Sequence, residues 1–131
     1  MIFSGKTNLK ITVLLGVFLN TGLVMADQCP SPEVIKERKI SRDYEWTIDE
    51  RRTLDDVLAV EKLYSARIKN QGEFIACYYS GGKQLLRLDG KPEKKDCWVA
   101  ESNGKWNTIG EVETVCGEHD ITLCQFNIKC E

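Results

Sequence analysis

Six cysteines are the residues of this sequence with the clearest chemistry. They are Cys29, Cys77, Cys97, Cys116, Cys124 and Cys130. An even number of cysteines in an exported chain is typical of a disulfide framework, whose pairing the sequence leaves open. A zinc site is disfavoured because no CxxC pair occurs and the chain holds only one imidazole. We therefore predict three disulfides, no metal site and no cofactor.

The single histidine, His119, lies between the acidic residues Glu118 and Asp120. A histidine flanked by carboxylates could serve as the general base of a small hydrolase. However, no Gly-x-Ser-x-Gly turn supplies a serine nucleophile, and cysteines bound in disulfides offer no thiolate. A histidine in such a polar stretch is more typical of an exposed loop. We predict no catalytic residue and keep a hydrolase that uses His119 as an alternative.

Aromatic side chains are the candidates for binding a partner, because three Trp and four Tyr are spread along the chain. Trp46 alternates with apolar neighbours and is predicted to lie in the core. Trp106 follows Asn103-Gly104, the strongest short hairpin signal in the chain. We predict that Trp106 and Tyr79 contribute to an interaction surface, since tyrosine and tryptophan combine an apolar ring with a polar group. The alternative is that both pack in the core beside the disulfides.

The N-terminal residues have the parts of a secretory signal peptide. Lys6 and Lys10 precede an apolar run over 11–25, and Val24-Met25-Ala26 offers a cleavage site after Ala26. A retained membrane anchor is the alternative, but the run of about 15 residues is shorter than the roughly 20 that span a bilayer. We predict a signal peptide over 1–26 and one globular domain over 27–131. Export and disulfides together indicate a periplasmic or secreted protein.

Composition narrows the classes of function. The chain has 131 residues, of which 42% are hydrophobic and 29% charged, and its formal net charge is −2. These values are typical of one globular domain. An acidic chain does not suit a nucleic-acid binder that depends on positive charge. We predict an unknown protein or envelope component as partner, no nucleic acid, and no stable membrane insertion after signal cleavage.

Apolar and polar residues alternate over several short stretches, which predicts an α+β domain with an antiparallel sheet of four to six strands. One or two short helices are expected beside it, since Ser31 and Pro32 form a good helix start. Gly72 is expected to allow a tight hairpin turn. The predicted elements are a helix over 32–39, a helix or loop over 53–63, and strands over 43–48, 63–68, 74–80, 84–89, 97–101 and 121–129.

Three short stretches are spread over most of the mature chain. They are Cys29-Pro30-Ser31-Pro32 followed by Ile35-Lys36, then Gly72-Glu73-Phe74-Ile75-Ala76-Cys77-Tyr78-Tyr79, and finally Cys97-Trp98. Together they resemble small exported, cysteine-containing proteobacterial proteins that form a family of unknown function. The resemblance implies export and a disulfide-bearing domain, and it carries no catalytic residue across to this chain.

These observations favour an exported, non-enzymatic binding or accessory protein that presents a rigid surface to its partner. A second hypothesis is an inhibitor of a protease or lysozyme, which would use the loops predicted at 80–83 and 101–105, because preorganised loops lose little entropy on binding. The hydrolase that uses His119 is the third.

Overall fold

The computed structural model describes residues 26–37, 40 and 43–131. The predicted signal peptide therefore lies outside the described residues, apart from Ala26. The elements are α1 (Pro32–Lys36), β1 (Tyr44–Ile48), α2 (Leu54–Leu58), β2 (Lys62–Lys69), β3 (Phe74–Ser80), β4 (Leu86–Pro92), β5 (Cys97–Gly104), β6 (Asn107–Ile109), β7 (Glu113–Cys116) and β8 (Cys124–Cys130), with 3₁₀ turns at Asn70–Gly72 and Ile121–Leu123.

All strand pairs are antiparallel, which confirms the coarse fold prediction. Six strands form one sheet in the order β1-β4-β3-β2-β7-β6, and β5 and β8 form a separate two-stranded ribbon. The described residues thus contain eight strands, and the expected four to six was too few. The main reason is the region between β5 and β8, where the exposed three-residue strand β6 shows no alternation that a sequence pattern could reveal.

The core lies between the inner face of the six-stranded sheet and the ribbon. Ile75 and Leu88 of the sheet and Val99 and Phe126 of the ribbon are almost completely buried. The ring of Tyr44 meets the ring of Phe126 edge-on at 5.7 Å between centroids. Burial of these apolar side chains provides the main attraction between the two layers.

Three disulfides connect the parts of this domain, as predicted. Cys29–Cys77 ties the segment before α1 to β3, and Cys116–Cys124 joins β7 to the start of β8. Cys97–Cys130 closes the end of the ribbon. Cys130 lies at the exposed end of β8.

Capping explains where the two short helices begin. The Ser31 side chain accepts a hydrogen bond from the backbone N–H of Val34, and Pro32 occupies the first turn. Helix α1 ends at Lys36, earlier than predicted. Thr53 and Asp56 form a capping box at α2, so the ambiguous 53–63 segment is a helix only at its start.

Two strands extend further than predicted, and one of them runs through a predicted turn. Strand β4 continues beyond Asp89 to Pro92, because β1 pairs with it along this stretch. Asn103-Gly104 does not form a hairpin turn, since β5 extends through Gly104 and pairs with β8. Gly104 has a φ of 140°, and a Cβ there would lie 2.1 Å from the carbonyl oxygen of Leu123. The glycine is thus needed for the close approach of β5 to the 3₁₀ turn that precedes β8.

Candidate functional site

The outer face of the six-stranded sheet, opposite the ribbon, carries a group of cations and aromatic rings. We call Arg67, Phe74, Tyr78 and Arg87 the outer-face cluster. They come from the three neighbouring strands β2, β3 and β4, and Tyr78 lies directly across from Arg87 in the strand register. The side chains of Arg67 and Arg87 are 40% and 41% exposed. The cluster is therefore accessible from solvent.

Cation–π contacts hold the outer-face cluster together. The Cζ atoms of Arg67 and Arg87 lie 5.8 Å and 5.7 Å from the ring centroid of Tyr78. Arg87 also lies 5.6 Å from the ring centroid of Phe74. Each such contact contributes about 0.5–1 kcal/mol at an exposed site. Beneath these side chains Ala76 is completely buried, so the cluster itself covers the middle of the face.

Carboxylates fix the two ends of the cluster. Arg67 donates to Glu113 at 2.6 Å, and Lys69 contacts the other Glu113 oxygen at 3.1 Å. Hydrogen bonds from Lys69 and Arg67 hold the pKa of Glu113 below its usual value. On the other side, Arg87 donates from Nε to Asp89 at 2.8 Å, and this hydrogen bond raises the pKa of the Arg87 guanidinium.

A cleft of about 550 Å³ adjoins the cluster where β1 forms the edge of the sheet. We call it the outer-face cleft. Tyr78 and Arg87 belong to both the cluster and the cleft, and Leu85 supplies apolar surface. The polar groups along its walls come from Thr47, Asp49, Arg52, Tyr78, Arg87 and Asp89.

Several of these polar groups have unused hydrogen-bonding capacity. Among the described residues, Asp89 accepts from Arg87 through one carboxylate oxygen only, and Arg87 donates only from Nε. Arg52 forms no side-chain ion pair with any residue that the structure describes, although it lies near Asp49. Asp49 is different, because both of its carboxylate oxygens accept hydrogen bonds from Arg51. These hydrogen bonds lower the pKa of the Asp49 carboxyl. The cleft thus offers both donors and acceptors to a ligand.

The predicted surface residue Tyr79 is buried, so the expectation of an exposed ring is wrong. Only 1% of Tyr79 is exposed, and its hydroxyl donates a 2.6 Å hydrogen bond to the carbonyl oxygen of Pro30. Burial raises the pKa of this phenol well above its usual value. The physical reason is strand parity, since Tyr79 shares the inner face of β3 with Cys77. Its neighbour Tyr78 points to the outer face.

Trp106 is half-buried and packs against the core. Its indole Nε1–H donates a 2.8 Å hydrogen bond to the carbonyl oxygen of Gln125. The predicted exposure is therefore only partial, and the polar group of Trp106 already has a partner. Trp46 also packs against the core, as expected.

His119 is exposed, and its Nδ1 lies 2.9 Å from the carbonyl oxygen of Leu63. The Asp120 carboxylate accepts from the backbone and hydroxyl of Thr122, where it caps the 3₁₀ turn. These contacts give both residues a structural role. Within the described residues, no three acidic, histidine or cysteine side chains are arranged to hold a metal ion.

Of the two loops predicted for a hydrolase inhibitor, the structure contains one. Residues 81–84 form an exposed connection between β3 and β4. Residues 101–104, in contrast, belong to β5, which pairs with β8 through Glu101 and Gly104. The second loop is therefore absent, because it is a strand.

No family model, curated protein or solved structure matches this chain. The family resemblance seen in the three short stretches stays a prediction. In the described part of the chain, no helix is long and apolar enough to cross a membrane. The three disulfides fit an oxidising compartment.

Sequence reasoning missed the outer-face cluster. Phe74, Ala76 and Tyr78 alternate along β3 and therefore share one face of that strand. Apolar residues on both faces of β3 hid which face is open. The signal that could have revealed it is the pair of arginines on the neighbouring strands, since Arg67 is paired with Ala76 and Arg87 with Tyr78 and both therefore share this face.

Proposed function

We propose that this protein is an exported, non-enzymatic binding protein and that its binding surface is the outer face of the six-stranded sheet. This surface would contact a protein or an envelope component. The observation that carries the proposal is the outer-face cluster, in which two guanidinium groups flank the Tyr78 ring beside a cleft. Arginine and tyrosine are enriched among the residues that dominate binding energy at interfaces.

The cluster is held rigidly before any partner binds. Strand β3 is paired on both sides, with β2 and β4, and the disulfide at Cys77 fixes it to Cys29. Arg67 and Arg87 are each restrained by a carboxylate. Preorganised side chains lose less conformational entropy on binding, so more of the contact energy contributes to affinity.

The two alternatives, a hydrolase inhibitor and a hydrolase that uses His119, have less structural support than binding through the outer face. The inhibitor hypothesis retains only one of its two loops, at 81–84. The hydrolase hypothesis depends on His119, whose Nδ1 is bound to a backbone carbonyl at 2.9 Å. A pull-down that compares the wild type with a variant of the outer-face cluster separates the proposed binding role from both alternatives.

The experiment measures co-sedimentation of the mature, oxidised protein with isolated envelope fractions, together with capture of soluble proteins from the medium. The double variant Arg67→Ala/Arg87→Ala removes both cations from the ring of Tyr78 and is expected to lose specific retention. Lys94→Ala is the matched control, because this lysine is exposed in the loop between β4 and β5. Retention of the double variant equal to that of the wild type would contradict the proposal.

A further inference from the structure

We infer that the outer-face cleft binds a neutral carbohydrate chain. The inference rests on the proposed binding function and specifies the chemical class of the ligand. It depends on three features of the cleft: its charge balance, the arrangement of its donors and acceptors, and its shape.

The charged side chains that line the cleft are equal in number, and Arg51 pairs with Asp49 from outside the lining. Arg52 and Arg87 provide two cations, and Asp49 and Asp89 provide two carboxylates. A polyanionic ligand would bring its own charges close to the Asp89 carboxylate, whose second oxygen is not paired within the described residues, and like charges in contact disfavour binding. An apolar ligand would cover the guanidinium of Arg52 without giving it a hydrogen-bond partner, which is costly. A neutral ligand rich in hydrogen-bonding groups avoids both costs.

Arg87 and Asp89 form a donor–acceptor pair that suits neighbouring sugar hydroxyls. They stand two residues apart on the same face of β4 and are joined at 2.8 Å. After this bond, the terminal nitrogens of Arg87 still donate and the second oxygen of Asp89 still accepts. Adjacent hydroxyl groups of a pyranose can therefore donate to Asp89 and accept from Arg87 at the same time. The hydroxyls of Tyr78 and Thr47 add groups that can do either.

The shape of the cleft agrees with this chemistry. Its volume of about 550 Å³ falls in the range of about 300–1,000 Å³ that is usual for ligand sites. The cleft is open to solvent, so a ligand can enter it. Leu85 is 40% exposed and gives apolar surface for the C–H groups of a sugar ring.

The mature, oxidised protein is titrated with maltohexaose, cellohexaose and chitohexaose. Binding is measured by the changes in the NMR chemical shifts of the backbone amides. Oligogalacturonate of the same length is the acidic comparison. At least one neutral sugar is expected to shift amides of β1, β3 and β4 around the cleft. Arg87→Ala and the nearly isosteric Asp89→Asn should each weaken that binding by about tenfold, since a hydrogen bond to a charged group is lost.

Glu111→Gln is the matched control, because Glu111 is exposed and does not line this cleft. It should bind the sugar as the wild type does. Near-ultraviolet circular dichroism of Asp89→Asn verifies that the fold is intact. Stronger binding of oligogalacturonate than of the neutral sugars, or sugar shifts that map to another surface, would overturn the inference.

A further outcome separates the inference from the proposed function. If no neutral sugar binds but Arg67→Ala/Arg87→Ala still abolishes specific retention by envelope fractions, the carbohydrate inference is wrong and the binding function stands. If a soluble protein is captured through the same face, a protein partner replaces the carbohydrate. If neither binding is seen, both are wrong.

Discussion

Gly90 of β4 lies directly beneath the indole ring of Trp46 of β1. The two residues are partners in the strand register, and a Cβ atom at position 90 would lie 2.5 Å from Cζ3 of Trp46. No side chain can occupy this place unless the ring moves. The contact allows β4 to continue past Asp89 and pair with β1, which in turn forms one wall of the outer-face cleft.

Substitution of Gly90 by alanine is expected to destabilise the protein. The new methyl group would push the indole of Trp46 out of its packing against the core, and overpacking of this kind costs about 1–3 kcal/mol. Urea unfolding followed by tryptophan fluorescence measures the change. Gly117→Ala is the control, since no atom lies within 4 Å of a Cβ at that position. Equal stability of the two variants would contradict the steric relationship.

Tyr79 is expected to matter for stability and not for binding. Tyr79→Phe removes the hydroxyl that donates to Pro30 and leaves a buried carbonyl without its partner. The free energy of unfolding should fall by about 1–2 kcal/mol. Retention by envelope fractions should equal that of the wild type at a temperature where both are folded. Loss of retention with unchanged stability would restore Tyr79 as a binding residue.

The three disulfides should differ in their reaction with a reductant in the folded state. Cys130 is exposed and Cys97 is half-buried, whereas the cysteines of the other two disulfides are completely inaccessible. A reducing agent must reach a sulfur atom before exchange occurs. Partial reduction without denaturant, alkylation and peptide mass spectrometry should therefore label Cys97 and Cys130 first. Labelling of Cys77 at an equal rate would show that the interior opens readily.

Acid should destabilise the protein partly through Glu113. Lys69 and Arg67 hold the pKa of this carboxyl below its ordinary value of 4.5, so the folded state binds fewer protons than the unfolded state. The resulting stabilisation is fully present above about pH 5 and is lost as the pH falls through the folded-state pKa. Glu113→Gln should reduce the stability difference between neutral and acidic solution by about 1 kcal/mol or less, since the groups are partly exposed.

Urea unfolding of wild type and variant at neutral pH and in acid measures this effect. Glu111→Gln serves as the comparison, because Glu111 forms no ion pair within the described residues. An equal effect of the two substitutions on the pH dependence would show that the contacts of Glu113 with Arg67 and Lys69 do not stabilise the fold.

Much of the local structure was predictable because it depends on neighbours in sequence. Ser31 caps α1 through a hydrogen bond to Val34, three residues away. The 63–80 hairpin follows from two alternating stretches around Gly72, whose φ is 102°. Strand β1 follows from the alternation of Tyr44, Trp46 and Ile48. The existence of three disulfides follows from the number of cysteines and the signal-like N terminus.

The partner of a strand was not predictable in the same way. Asn103-Gly104 has the local character of a hairpin turn, yet β5 pairs with β8 because the disulfide and the buried residues Val99 and Phe126 favour that pairing. Long-range contacts of this kind override local turn preference. For the same reason the disulfide connectivity was open until the strands were placed.

The sequence by itself determined that the chain forms an antiparallel domain held by disulfides. The strands follow from the local alternation of apolar and polar residues, and the disulfides follow from the even number of cysteines. Only the tertiary structure decided which face of β3 is covered. Both faces of that strand are apolar, so burial of Tyr79 and exposure of Tyr78 depend on where the ribbon packs. The candidate site exists on the outer face because the ribbon covers the other one.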